Sequence, residues 1–440
     1  MTHRQLSTAS GAATYAQEVR RGRFDPISLV TAAAGSGLLT DYVVYERAGR
    51  WHLAGNPLGA VLVGPNWLRS TLGSEFAASW ADSPWPQARA ALEKTPLARW
   101  RAYGWACFGL SHPGTAAPSD VLAHVMVPSV ELEITTDSIH IGATDKDLGA
   151  ALADVVADAP IGDPDPVPTD GLDHDYLGGV GQAIRRIRNG GLRKVILSRS
   201  VDVPFEVDMP ATYAVGRRAN TPARSFLLDL GGWQATGFSP ETMLEVDASG
   251  LAATQPLAGT RARTGQSGID QALRAELLIE PKEVFEHAIS VKGAFDELEA
   301  VGRPGATRVS EFLAIKNRGS VQHLGSRVET LLAPPQTSWD AFAAVFPAIT
   351  ASGIPKAVAC QTIVDLEPEP RGLYGGAVLM ADSSGALDAA LVLRAVYQRN
   401  CRAWLRAGAG VVTASTPARE HEETCEKFNS IAPYLVPRRP

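Results

Sequence analysis

Cysteine is scarce in this chain, long apolar runs are missing, and there is no excess of positive charge. The four cysteines among 440 residues, Cys107, Cys360, Cys401 and Cys425, are scattered without a CxxC pair. That is the pattern of reduced core or surface thiols in the cytoplasm, and none sits in an activating motif that would make it a nucleophile. No stretch approaches the length of a membrane span, and the N-terminus lacks the charged-then-apolar layout of a signal peptide. The expectation is therefore a cytoplasmic protein that does not engage a membrane. A net charge of -6 leaves no electrostatic footprint for nucleic acid or an anionic bilayer. What is present, 45% apolar and 20% charged residues, describes a globular chain long enough for one large core or two to three domains.

Periodicity and turn residues divide the chain. Residues 1–38 are small and polar, with a short helix expected near 14–21 in an otherwise loose arm. A meander of three short strands follows over 41–46, 50–54 and 59–63. Residues 85–94 suit a helix and 103–110 a strand. Two more strands are expected over 121–127 and 131–141, the second split by a turn at Thr136-Asp137. Apolar spacing predicts a helix over 146–158. The run DAPIGDPDPVPTDG at 158–171 marks a boundary. It separates an N-terminal supporting part, residues 1–160, from residues 170–440, the two together making one globular unit.

In the second part an amphipathic helix over 176–188 ends at Asn189-Gly190-Gly191 as a left-handed cap would. A strand over 193–199 follows. Antiparallel strands are read at 225–230, 233–238, 243–246 and 251–257. A helical stretch over 269–300 is broken at Pro281. A strand over 321–331 carries His323, and helices are expected over 339–345 and 355–366. Segments 373–382 and 387–398 read as a hairpin. Strand 403–409 leads into a last helix, capped by Thr416 with Pro417 in its first turn and running to about residue 433.

That last helix carries the charge pattern around which the chemistry gathers. Glu420, Glu423 and Lys427 share one face, because residues three, four and seven apart stack on a helix. Two carboxylates one turn apart repel, so either water screens them on a solvated face or a cation sits between them. A second such pair, Glu283 and Glu286, lies on the helix that Pro281 starts afresh. Two pairs on two helices can hold a hard divalent cation, and an all-oxygen site suits Mg2+. Such an ion keeps open positions for a substrate oxyanion, a carboxylate or a phosphate. Lys194 stands inside the apolar strand KVILSR, where it either snorkels to water from an edge or faces a cleft and serves as a general base. Glu241 sits in a turn between strands, and Gly259 closes a strand where backbone can approach a ligand.

The stretches KVILSR, GFSPE, PLAGTR, KEVFEHAISV, RGSVQHLGS, ITASGIPK, RGLYGGAV, LRAVYQ, RAGAGVV and EETCEK occur in one order and spacing. Together they resemble the chorismate-utilising enzymes, which include isochorismate synthase, salicylate synthase and the first components of anthranilate and aminodeoxychorismate synthases. The likeness is strong over about 170–435 and weaker before that, and within the family it is greatest to the mycobacterial-type salicylate synthases. It implies an α+β fold in which two large antiparallel sheets pack as a core flanked by helices. It further implies that Glu283, Glu286, Glu420 and Glu423 cage Mg2+. Leu257, Gly259, Thr260 and Lys427 would line or hold the ring-carboxylate end of chorismate. Tyr374, Arg394, Gly408 and Gly410 would hold the enolpyruvyl carboxylate. Lys194 would be the base for water attack at C2, and Glu241 the acid that protonates the leaving C4 hydroxyl.

His323 falls near the ring in the family pattern, and is either a contributor to catalysis or a satisfied histidine on a strand. Ala258 stands where the aminodeoxychorismate synthases carry a nucleophilic lysine. Water is therefore the implied nucleophile, isochorismate the first product, and a glutamine amidotransferase partner is not expected. A monomer is implied. Release of isochorismate in place of salicylate and pyruvate, a non-catalytic chorismate-binding relative, and an unrelated metal-dependent hydrolase are the rival readings. Glu280 and Pro281, where the family has small polar residues, are expected to affect the helix start at the metal.

Overall fold

The computed structural model describes residues 14–73, 75–155, 162–319 and 321–439. Among them, 21 strands are hydrogen-bonded into one continuous network, with antiparallel register in every ladder. The two expected sheets are thus joined, but they still face each other as layers. Val43, Tyr45, Trp105, Met126, Phe226, Leu228, Val378, Ala390 and Tyr397 form a buried cluster built almost wholly from strands. Strand side chains pack against strand side chains in this way only when sheet lies on sheet.

The long strand Arg50–Val63 helps join the ladders. Its first half pairs with Tyr42–Arg47, its end pairs with Trp67–Ser70, and the register against Ala123–Ile134 slips between Pro57 and Gly59. A slip of this kind bends a strand without ending it. The two expected strands over 50–54 and 59–63 are therefore one element.

Helices cover the outer faces. Trp85–Leu92, Pro281–Glu299 and Ser338–Val345 bury Trp85, Val291, Leu298 and Phe342 against Val125, Leu379 and Leu391. Pro26–Gly35, Met209–Ala219 and Pro417–Phe428 bury Val30, Tyr213 and Phe428 against Val44, Leu227 and Leu405. His174–Arg188 and Lys356–Leu366 bury Val180, Ile184 and Ile363 against Val195 and Leu197.

Several expected elements are corrected. Residues 16–21 form a strand, Ala16–Arg21, paired with Ser138–Ala143, and a helix capped by Asp25 follows it, so little of this region is a loose arm. Residues 1–13 and the first part of the boundary run lie outside the described residues. The expected strand 103–110 ends at Ala106 and becomes a 3-10 turn. Segment 387–398 divides into Leu387–Leu391 and Ala395–Arg399, and Arg394 in the gap has φ +52°. The last helix ends at Phe428. The helix Met209–Ala219 and the exposed strand Arg308–Arg318 were not anticipated. Gly190 and Gly191 do take positive φ, +88° and +84°, and Glu280-Pro281 is the joint between helices Ser267–Ile279 and Pro281–Glu299.

Candidate active site

Lys194–Val203 runs antiparallel to Arg402–Val411, placing Ile196 opposite Gly410 and Ser198 opposite Gly408. With glycine opposite, the strand face carrying Lys194 and Ile196 keeps open space above it. That space is a cavity of about 80 Å3. It brings together Lys194, Glu241, Leu257, Gly259, Thr260, Glu286, His323, Tyr374, Arg394, Gly408, Gly410, Glu423 and Lys427. Glu283 and Glu420 do not line it. A cleft of about 620 Å3 lies elsewhere, beside Arg101 and Glu131. The site is therefore assigned by the convergence of its chemical groups and not by size.

Lys194 does not snorkel. It is 1% exposed, and its ammonium donates to Ser290 Oγ at 2.9 Å and pairs with Glu286 Oε1 at 2.9 Å. Both partners stand on Pro281–Glu299, one turn apart, so the helix of the first acid pair also aims the lysine. Glu241 occupies the turn after Trp233–Ser239. Ser239 Oγ donates to the Glu241 carbonyl at 2.9 Å, which fixes the turn. Burial pushes the Glu241 carboxyl up to about 8, against the Thr350 hydroxyl, the Leu257 N–H at 3.3 Å and the charge of Lys194. It is thus protonated at neutral pH, as an acid must be.

At the opposite end His323 receives the Arg394 guanidinium on Nε2 at 2.7 Å. Arginine only donates, so Nδ1 carries the proton and faces the Gly259 carbonyl at 3.2 Å, with Thr260 Oγ1 at 3.1 Å. Burial and Arg394 hold His323 well below the usual histidine range. In this state it is a neutral ring that positions Arg394. The Gly259 carbonyl can face it because Gly259 sits at φ +77°, at a register slip between Ala258 and Thr260. Arg394 is itself pushed down to about 10 by burial and by Arg318, and it pairs with no carboxylate among the described residues. A buried guanidinium without an acid is a receptor for one. Lys427 binds Glu423 at 2.7 Å and donates to the Gly408 carbonyl at 2.8 Å. Tyr374 is packed between Arg371 and Arg406.

Each of the four predicted metal-binding carboxylates is held by a basic group. Glu283 meets Arg261 at 3.4 Å, Glu286 meets Lys194, Glu420 meets Lys282 at 2.8 Å, and Glu423 meets Lys427. Among the described residues no three acidic, histidine or cysteine groups converge as a ready ligand shell. The donor set nevertheless fits a hard cation. Glu420 Oε2 is buried with no partner. Burial and Glu423 push Glu420 up to about 7, and burial with Glu423 and Glu286 also raises Glu283. Glu283 and Glu420, raised by burial and by acidic neighbours, mark a site short of positive charge, and the four carboxylates are oxygen donors of the kind Mg2+ prefers.

Gly410 gives this end of the site its closest approach. A Cβ there would lie 2.1 Å from Glu286 Oε1. Gly410→Ala is expected to push Glu286 off Lys194 and lower turnover by about 10²-fold, as an ångström-scale misplacement does. Steady-state kinetics beside a melting curve checks this, and a folded, fully active variant would refute it.

Sequence reasoning did not single out Thr350, Ser290, Arg261 and Lys282, which hold the acid, the base and two of the carboxylates. Each lies inside or beside a motif already quoted, and Lys282 directly precedes Glu283. Their partners are far away in the chain, so only the fold reveals them.

A closed, sheet-lined pocket with a buried acid, a buried lysine, an unpaired arginine and a crowd of carboxylates defines an enzyme site for a small anionic substrate. The comparisons then specify it. The family model described as chorismate binding enzyme matches residues 159–433, and the chain belongs to that family. It is 41% identical to the salicylate synthase of Mycolicibacterium paratuberculosis over 407 residues, 91% of this chain and 90% of that one. It is 38% identical to anthranilate synthase component 1 of Thermus thermophilus over 58% of this chain and 55% of that one. In structure it resembles anthranilate synthase component I of Streptococcus pneumoniae, with a TM-score of 0.74, 25% identity, and 88% and 92% of the two chains covered. The menaquinone-specific isochorismate synthase MenF of Escherichia coli shares the fold, with a TM-score of 0.73 at 20% identity over 96% and 95% of the chains. No helix among the described residues is long and apolar enough to cross a membrane.

Proposed function

We propose that this chain converts chorismate, by way of isochorismate, to salicylate and pyruvate in an Mg2+-dependent reaction that supplies a siderophore or other aryl-capped metabolite. The observation that carries the reading is that Lys194 and Glu241 line one cavity whose wall at position 258 is alanine. Lys194, as the neutral amine left once its proton has passed to Glu286 at 2.9 Å, takes a proton from the water that attacks C2, and Glu241 gives its proton to the hydroxyl leaving C4. Water enters and water leaves, so the ring is isomerised. In the second step the hydrogen on C2 passes to the methylene carbon of the enolpyruvyl group as its C–O bond breaks, which demands positioning more than a new acid or base. Arg394, set by His323, and Tyr374 hold the enolpyruvyl carboxylate. Glu283, Glu286, Glu420 and Glu423 would hold Mg2+, whose charge would draw electron density toward the ring carboxylate. Gly259, Thr260 and Lys427 flank that carboxylate.

The reading needs no ammonia-delivering subunit and is that of a monomer acting alone. It is tested by incubating the pure chain with chorismate and Mg2+, without ammonia, and separating the products. Salicylate with equimolar pyruvate is expected. Isochorismate alone would make the chain an isochorismate synthase, and unchanged chorismate would refute the reading.

A further inference from the structure

A second cleft, of about 440 Å3, has Arg371 in its wall. The same guanidinium lies 4.5 Å from the Phe108 ring, which lines this cleft, and 5.4 Å from the Tyr374 ring of the active site. The two spaces are therefore separate but share a wall. Three aromatic rings line the cleft, Phe108, Trp233 and Trp404, and the two indoles meet edge to face at 5.8 Å. Arg399, half-buried, places its guanidinium 4.7 Å from the Trp233 ring centroid.

Around the cleft Glu367 and Glu369 are ion-paired, whereas Asp120 and the Arg399 guanidinium have no ion-pair partner among the described residues. Glu367 is taken by Arg371 and by Arg406 at 2.7 Å, Glu369 by Arg402 at 3.2 Å, and Asp120 accepts the Ala117 N–H at 2.8 Å. Arg399 pairs with no carboxylate among the described residues, and its guanidinium lies over the face of Trp233.

Aromatic walls and one free guanidinium together select a ligand. A ring gains from offset or edge contact with indoles, and a carboxylate gains a charge-assisted bond to arginine. An uncharged apolar ligand would cover Arg399 and leave it unpaired, at a cost. A small inorganic anion would leave the aromatic walls unused. We propose that this cleft is a binding site for a planar aromatic carboxylate, with its ring on Trp233 and Trp404 and its carboxylate on Arg399. Salicylate is a small acid of this class. Its role as the natural occupant, and so as a feedback ligand, rests on the proposed function, whereas the site itself does not.

The test is a titration of the full chain with salicylate, followed by quenching of tryptophan fluorescence and by energy transfer to the bound acid. Two classes of site are expected, one weakened by Arg394→Gln and the other by Arg399→Gln. Loss of a charge-assisted bond should weaken the second class by about tenfold or more, with Arg399→Lys retaining part of it. Melting curves confirm that the variants are folded. Neither Arg399 variant should alter turnover at low product, because Arg399 lies outside the catalytic cavity. The proposal is overturned if salicylate and 2-naphthoate alike show only the site sensitive to Arg394, or if Arg399→Gln binds as tightly as the parent. A chain that binds both acids in the cleft yet leaves chorismate unchanged would refute the proposed function and leave the site standing.

Discussion

Glu241→Gln should reduce turnover of chorismate by about 10²–10⁴-fold, the usual worth of a positioned general acid. Glutamine keeps the shape, and its one carbonyl oxygen can still accept from the Thr350 hydroxyl or the Leu257 N–H, but it has no acidic proton to give. The parent's rate should be highest below about 8, where burial keeps Glu241 protonated, and should fall as pH rises through that value. The same group also makes stability fall as pH rises. Its folded pKa is raised above the ordinary carboxylate value, so between the two the native state holds a proton that the unfolded chain has released. Stability contributed by that proton is present at low pH and is lost as pH rises toward 8. Glu241→Gln should therefore be nearly inactive yet lose less stability between pH 5 and pH 8 than the parent. Rate–pH profiles and melting curves across that range check both halves. An active Gln variant, or one with the parent's alkaline fall in rate, would remove Glu241 from its role.

The second large effect belongs to Lys194. Lys194→Ala should lower chorismate consumption by about 10²–10⁴-fold if the amine is the base for water attack. The variant also strips Glu286 of its partner, and an unpaired buried carboxylate costs about 3–5 kcal/mol. A cation shared with Glu286 would offset that loss, so added Mg2+ should raise the melting temperature of the variant more than that of the parent. Supplied with isochorismate, the variant should still release pyruvate, because the elimination makes no use of the base. Loss of both steps together would show that Lys194 shapes the site and is not the base.

Much of this site was legible before the fold was known, and the reason lies in particular residues. Lys194 interrupts an apolar strand, and Glu283 with Glu286 and Glu420 with Glu423 repeat at helical spacing, so their oddity is local. Thr350 bears no such mark. It matters only because a turn more than a hundred residues earlier puts Glu241 against it. Arg394 was found by motif, but its left-handed backbone was not, because nothing in its neighbourhood favours φ +52°. The contacts that hold its side chain and the flanking strands impose it, at the modest strain that functional positions often carry.

The strand Ala16–Arg21 was misread for a similar reason. Its residues AQEVRR suit a helix as well as a strand, and the partner that decides, Ser138–Ala143, is distant in sequence. Arg308–Arg318 is largely exposed and pairs on one side only, so it lacks the apolar alternation by which strands are recognised.

The N-terminal strands also have a protective role. Tyr42–Arg47 lies along Arg224–Leu230, and Arg101–Ala106 along Ala377–Asp382. Without residues 1–160 each of those two strands would present a raw margin of unpaired amides and carbonyls, an invitation to a neighbouring molecule. The N-terminal strands, none of which lines the candidate site, thus cover edges through which the rest of the chain could polymerise.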